Sequence, residues 1–119
     1  MKQHLLVLPL FVALAACSNQ TPAPNLAPLD YSYLPPITFK VADMTVANNY
    51  VPTPGQATMI NEAPQPPALV LQNMLTHRLV ASGAPGQGTA TIETASLDQI
   101  GSNLTGTLTV DIHLSSADG

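Results

Sequence analysis

Four side chains in this sequence are of types that carry chemistry at a meaningful spacing: Cys17, His77, Asp111 and His113. Cys17 is the only cysteine. It closes the run Leu14-Ala15-Ala16-Cys17, in which small side chains stand directly before the thiol. Upstream lie a basic start (Met1, Lys2) and an apolar stretch over residues 5–13. That is the layout of a secretory signal peptide ending at a small-residue cleavage site. A membrane-spanning helix needs about 20 apolar residues; this stretch is shorter and holds Pro9. A leader peptidase calls for small side chains at its cleavage site. With no second cysteine there is no disulfide within the chain, and no thiol besides Cys17 for a metal site or a nucleophile.

The remaining candidates fall short of a reactive site. Asp111 and His113 stand two apart on an alternating strand, so they share one face. Zinc takes three or four protein ligands, so His77 or a partner residue would have to join them. Two solvated histidines is the expected reading, with no metal. Ser82, His77 and Asp98 contain the residue types of a hydrolytic triad, but no G-x-S-x-G elbow supports one. The run Gly83-Ala84-Pro85-Gly86-Gln87-Gly88 follows a helix and lacks the G-K-[ST] ending of a phosphate cradle. No catalytic residue is assigned, and the chain is not expected to be an enzyme. Beyond Cys17 the basic residues are Lys40 and Arg78, against seven carboxylates. An acidic chain of this kind has no footprint for nucleic acid and is not drawn electrostatically to an anionic bilayer.

Three regions follow from composition: a signal peptide over residues 1–16, a proline-rich tether opening with Cys17 over 17–36, and a domain over 37–119. Pro22, Pro24, Pro28, Pro35 and Pro36 make the tether extended, with room for its apolar residues (Leu29, Tyr31, Tyr33, Leu34) to dock on the domain or a partner. In the domain, Ile37, Phe39 and Val41 alternate as in a strand. The apolar phase then shifts to Ala42, Met44 and Val46, which predicts a β-bulge near Val41-Ala42. Residues 50–67 hold six prolines or glycines at Pro52, Pro54, Gly55, Pro64, Pro66 and Pro67, and read as a long irregular loop.

A helix is predicted over 67–82, entered by Pro66-Pro67 and closed by Gly83, with Leu71, Met74, Leu75 and Leu79 forming its apolar stripe. Arg78 lies near that stripe and is expected either to snorkel or to pair with an acidic residue. Two strands follow. Residues 89–95 place Ala90 and Ile92 on one face. Residues 104–114 place Leu104, Leu108, Val110, Ile112 and Leu114 on one face and Thr105, Thr107, Thr109, Asp111 and His113 on the other. The expected fold is α+β: a small antiparallel sheet in the order β-α-β-β, one helix packed on its inner face, and the apolar row of 104–114 in the core. Asp118-Gly119 is a hairpin signal with no strand after it. So small a sheet leaves a long edge unpaired. The expectation is an incomplete domain, either a piece of a longer protein or one completed by another chain.

Leu14-Ala15-Ala16-Cys17 resembles the lipobox of bacterial lipoproteins. That resemblance implies signal-peptidase recognition through Leu14, Ala15 and Ala16. It also implies lipidation of Cys17 by a diacylglycerol and an N-acyl chain such as palmitate, and no other cofactor. Ser18 after the cysteine resembles the outer-membrane sorting pattern of enteric bacteria, which implies an anchor in the outer membrane facing the periplasm. The stretch from Leu34-Pro35-Pro36-Ile37 through Tyr50-Val51-Pro52 and Pro66-Pro67 to Arg78-Leu79-Val80-Ala81-Ser82-Gly83 is similar to uncharacterised proteobacterial lipoproteins. More distantly it resembles the auxiliary lipoproteins of ABC-type lipid transporters, whose anchored α/β domain continues through another strand and helix.

Two roles from different classes follow. One is a lipid-anchored, non-enzymatic interaction or auxiliary component of a cell-envelope complex, possibly one devoted to transport, with an envelope protein as partner. Its motive is the unpaired sheet edge, which invites β-augmentation. The other is a periplasmic carrier holding a small apolar ligand or lipid between helix and sheet.

Overall fold

The computed structural model describes residues 27 and 29–118. The signal peptide, Cys17 and most of the tether lie outside the described residues. The fold is α+β, with two helices and five strands among the described residues.

The first predicted strand is realised as two, β1 (Ile37–Phe39) and β2 (Asp43–Asn48). The phase shift at residues 41–42 marks a change of sheet rather than a bulge. β1 pairs in parallel with β3 (Leu79–Ala81), while β2 joins a three-stranded sheet. Val41 sits in the link, almost fully buried. Its N–H donates to Phe39 O and its carbonyl accepts from Gly83 N–H at 3.0 Å. Ala42 N–H donates to Gly86 O at 2.9 Å.

Residues 50–67 are not an irregular loop: they contain α1 (Pro54–Glu62). Thr53 caps it, its hydroxyl accepting from Gln56 N–H while the Gln56 side chain accepts from Thr53 N–H. This reciprocal box satisfies two donors that the first helical turn leaves unpaired. Pro54 occupies the first turn, where its missing N–H costs nothing. The other prolines (Pro52, Pro64) flank the helix, so its interior is free of them.

α2 (Pro67–Arg78) begins where predicted but ends about one turn early. Leu79 leaves the helix with extended backbone and starts β3: its N–H still donates to Leu75 O, while it stands opposite Ile37 in the parallel pair. Gly83, expected as the helix terminator, instead adopts a positive φ of 87° after β3. Leu71 and Leu75 are the buried residues of α2, Met74 is half-buried, and Leu79 is buried from the strand.

β4 (Gln87–Ile100) and β5 (Asn103–Ser115) are longer than predicted and form a hairpin. Gly101 stands first in the two-residue turn with φ 63°, as a type II′ turn requires. The sheet order is β2-β4-β5. It is mixed rather than antiparallel: β2 and β4 run parallel, from Asp43 opposite Gln87 to Asn48 opposite Ile92. The α1–α2 segment returns the chain to the starting end of β2, and such a crossover makes neighbouring strands parallel. The bulge falls in β4 between Ile92 and Thr94, leaving Glu93 unpaired and exposed. It carries the buried face from Ala90 and Ile92 onto Ala95.

The core is one cluster: Leu71, Leu75, Leu79, Ala90, Ile92 and Ala95, ringed by Phe39, Met44, Val46, Tyr50, Ala68, Met74 and Val110. Val110 is the sole contribution of β5 to that ring.

Candidate functional site

The candidate site is the outer strand of the sheet. Residues directly opposite one another in an antiparallel pair share a face. Leu114 opposes Gly88, Ile112 opposes Ala90, Val110 opposes Ile92 and Leu108 opposes Ala95. The apolar row of β5 therefore lies on the same face as the core. It is nevertheless open: Leu104 is 60%, Leu108 57%, Ile112 42% and Leu114 47% exposed. This corrects the expectation that the row is buried.

The reason is width. A helix is about 10 Å across and strands lie about 4.8 Å apart, so one helix covers about two strands. α2 packs on β2 and β4, leaving β5 outside. The far edge of β5 pairs with no strand among the described residues. The opposite face carries Thr105, Thr107, Thr109, Asp111 and His113, with Asp111 opposite Thr91 and His113 opposite Thr89. β5 thus presents an apolar face, a hydroxyl-rich face and an open edge.

The other sequence-level candidates separate. Asp111 and His113 do share a face of β5, opposite Thr91 and Thr89. His77 sits at the end of α2, its Nδ1 2.7 Å from Asn73 O. Among the described residues, no three His, Cys, Asp or Glu side chains come together as a metal group. The residues Ser82, His77 and Asp98 bond elsewhere. Ser82 Oγ accepts from Ala84 N–H, and Asp98 Oδ1 accepts from Gln56 Nε2 at 3.0 Å. The glycine-rich run is the β3–β4 turn, with Gly86 at φ 128°. Leu14, Ala15, Ala16 and Cys17 lie outside the described residues.

Sequence reading missed one feature and left a second open. Gln56 links α1 to the sheet: its Oε1 accepts from Tyr50 Oη at 2.8 Å and its amide donates to Asp98. Burial, and then the nearby Asp98 carboxylate, push the Tyr50 phenol above its usual range. The second feature is a shallow groove of about 230 Å³ between Leu29 and Tyr31 of the tether and Pro64, Pro66, Leu69 and Val70. The tether docks here. Gln65 Nε2 donates to Ala27 O at 2.9 Å. Arg78 Nη2 donates to Pro35 O at 3.2 Å, while its Nε is buried without a partner. Arg78 therefore fastens the tether rather than pairing with a carboxylate. Nearby, the Ser32 backbone N–H and then the Ser32 hydroxyl hold the exposed Asp30 carboxyl below its ordinary value.

No family model matches this chain, and no curated protein or solved structure matches it either.

Proposed function

We propose that the chain is a lipid-anchored, non-enzymatic docking domain of a bacterial envelope that takes a partner strand along β5. One observation carries this reading: a 13-residue strand with an open apolar row and an edge that meets no strand among the described residues. Main-chain hydrogen bonds along such an edge supply affinity, and alternating side chains supply selectivity. The Leu14-Ala15-Ala16-Cys17 run supports the anchor, and the resemblance to auxiliary lipoproteins of lipid transporters supports an accessory place in a transport complex. Ser18 supports the outer membrane, facing the periplasm. A carrier would need space between α2 and the sheet, where Leu71, Leu75, Ala90 and Ile92 already pack together. Docking is the better reading.

Replacing Cys17 with alanine is expected to leave unprocessed precursor, seen as a mass that retains residues 1–16. A processed, soluble form would overturn the anchor. Ile112→Lys tests docking. Ile112 is exposed, so stability is expected to change by less than about 0.5 kcal/mol. Association should weaken at least about tenfold, roughly 1.4 kcal/mol. Sedimentation of the full-length chain, extracted from membranes in mild detergent, reads this directly. A complex of unchanged size would overturn the docking role of β5.

A further inference from the structure

We infer that the strand taken up by β5 is the β5 of a second copy of this chain, paired antiparallel about a two-fold axis at Thr109. This deepens the docking reading and rests on it.

The edge is unguarded: natural edge strands carry lysine, proline or inward charges that block pairing, and β5 has neither lysine nor proline. Its only charged or titratable side chains are Asp111 and His113. The sequence of β5 is also complementary to itself when reversed. With Thr109 opposite Thr109 of the second copy, all 13 residues find partners. No other register pairs every residue of the strand.

On the apolar face this register sets Leu104 against Leu114 of the second copy and Leu108 against Val110. It also sets Gly106 against Ile112. Above Gly106 the space is open, since an added Cβ would meet only Ser96 O at 3.6 Å. The gap in one row therefore accepts the bulk of the other. On the opposite face Thr107 meets Asp111 of the second copy and Thr105 meets His113. Each hydroxyl can donate to a carboxylate or an imidazole nitrogen, and no two like charges face one another. The contact is isologous and closed, so it ends at a dimer rather than a fibre.

Two substitutions in the full-length, lipidated chain test this, with Cys17 occupied by lipid. Across an antiparallel pair, opposite Cα atoms lie about 4.5–5.5 Å apart, within the span a disulfide bridges. Thr109→Cys is therefore expected to give a disulfide-linked dimer in the oxidising envelope. It should exceed the dimer from the exposed control Glu93→Cys by at least about tenfold. A photoreactive benzoylphenylalanine placed at Thr109 reads whatever occupies the edge, and circular dichroism confirms that each variant is folded. A disulfide dimer with a photo-adduct of doubled mass supports the inference. A doubled-mass adduct without the disulfide overturns the axis at Thr109. An adduct with a different protein overturns self-pairing while leaving the docking reading intact. An adduct within one chain, or none, overturns both.

Discussion

Ile92→Ala is expected to cost about 2–5 kcal/mol of folding stability, the range for removing a large buried aliphatic side chain. Ile92 is 0% exposed and sits where α2 meets the sheet, among Leu71, Leu75, Ala90 and Ala95. It is the largest side chain that the domain encloses completely. Two terms add: the lost transfer of apolar surface and the cavity left behind. The cavity relaxes poorly here. Ile92 lies beside the bulge at Glu93, and its strand is held on both sides by β2 and β5, so the backbone has little freedom to close in. Domains of this size are marginal, with total stabilities of about 5–15 kcal/mol. Each kilocalorie shifts the midpoint by about 4–8 °C, so a fall of at least about 8 °C is expected by thermal circular dichroism. A loss below about 1 kcal/mol would mean that the cluster around Ile92 does not hold the domain together.

Gly86→Ala is expected to cost at least about 2 kcal/mol, by a different mechanism. Gly86 has φ 128°, a conformation that side chains rarely adopt. Holding a non-glycine residue in such a region costs about 1–3 kcal/mol. An added Cβ would also lie 2.5 Å from Ser115 O, which is backbone and cannot rotate away. The damage should concentrate where β4 begins, because Gly86 O accepts from Ala42 N–H and Ser115 closes the far end of β5. Denaturant unfolding reads the loss, and hydrogen exchange reads its location. Wild-type stability in Gly86→Ala would refute the close approach of the β3–β4 turn to β5. Gly88 makes a contrast. An added Cβ there meets Met44 Sδ and Leu114 Cδ2, side-chain atoms that can move, so Gly88→Ala should be milder.

Much of the fold was legible because local patterns carried it. The α2 stripe of Leu71 and Leu75 and the alternation along β4 and β5 are set by periods of 3.6 and 2. The parallel order of β2 and β4 was missed in favour of an antiparallel sheet, although a helical segment joining neighbouring strands leaves them parallel. α1 was missed, although Thr53-Pro54-Gly55-Gln56 carries its signal: a capping threonine, a proline in the first turn and a glutamine at the third helical position. Counting prolines in residues 50–67 concealed it, because a proline ends a helix only from inside.

By itself, the sequence determined the α+β class, the start of α2, the presence of strands at β4 and β5, the division of β5 into an apolar and a polar face, and the single thiol at Cys17. Each depends on residues within a few positions of one another. The tertiary structure alone decided where α2 stops, since Leu79, whose N–H still donates to Leu75 O, turns extended and lines up opposite Ile37 instead of continuing the helix. It also decided that Tyr50, Gln56 and Asp98 meet, and that Arg78 holds Pro35. Above all it decided the fate of the apolar row of β5. Alternation places those side chains on the inner face, but burial requires something above them. α2 is wide enough for only two strands, and it rests on β2 and β4.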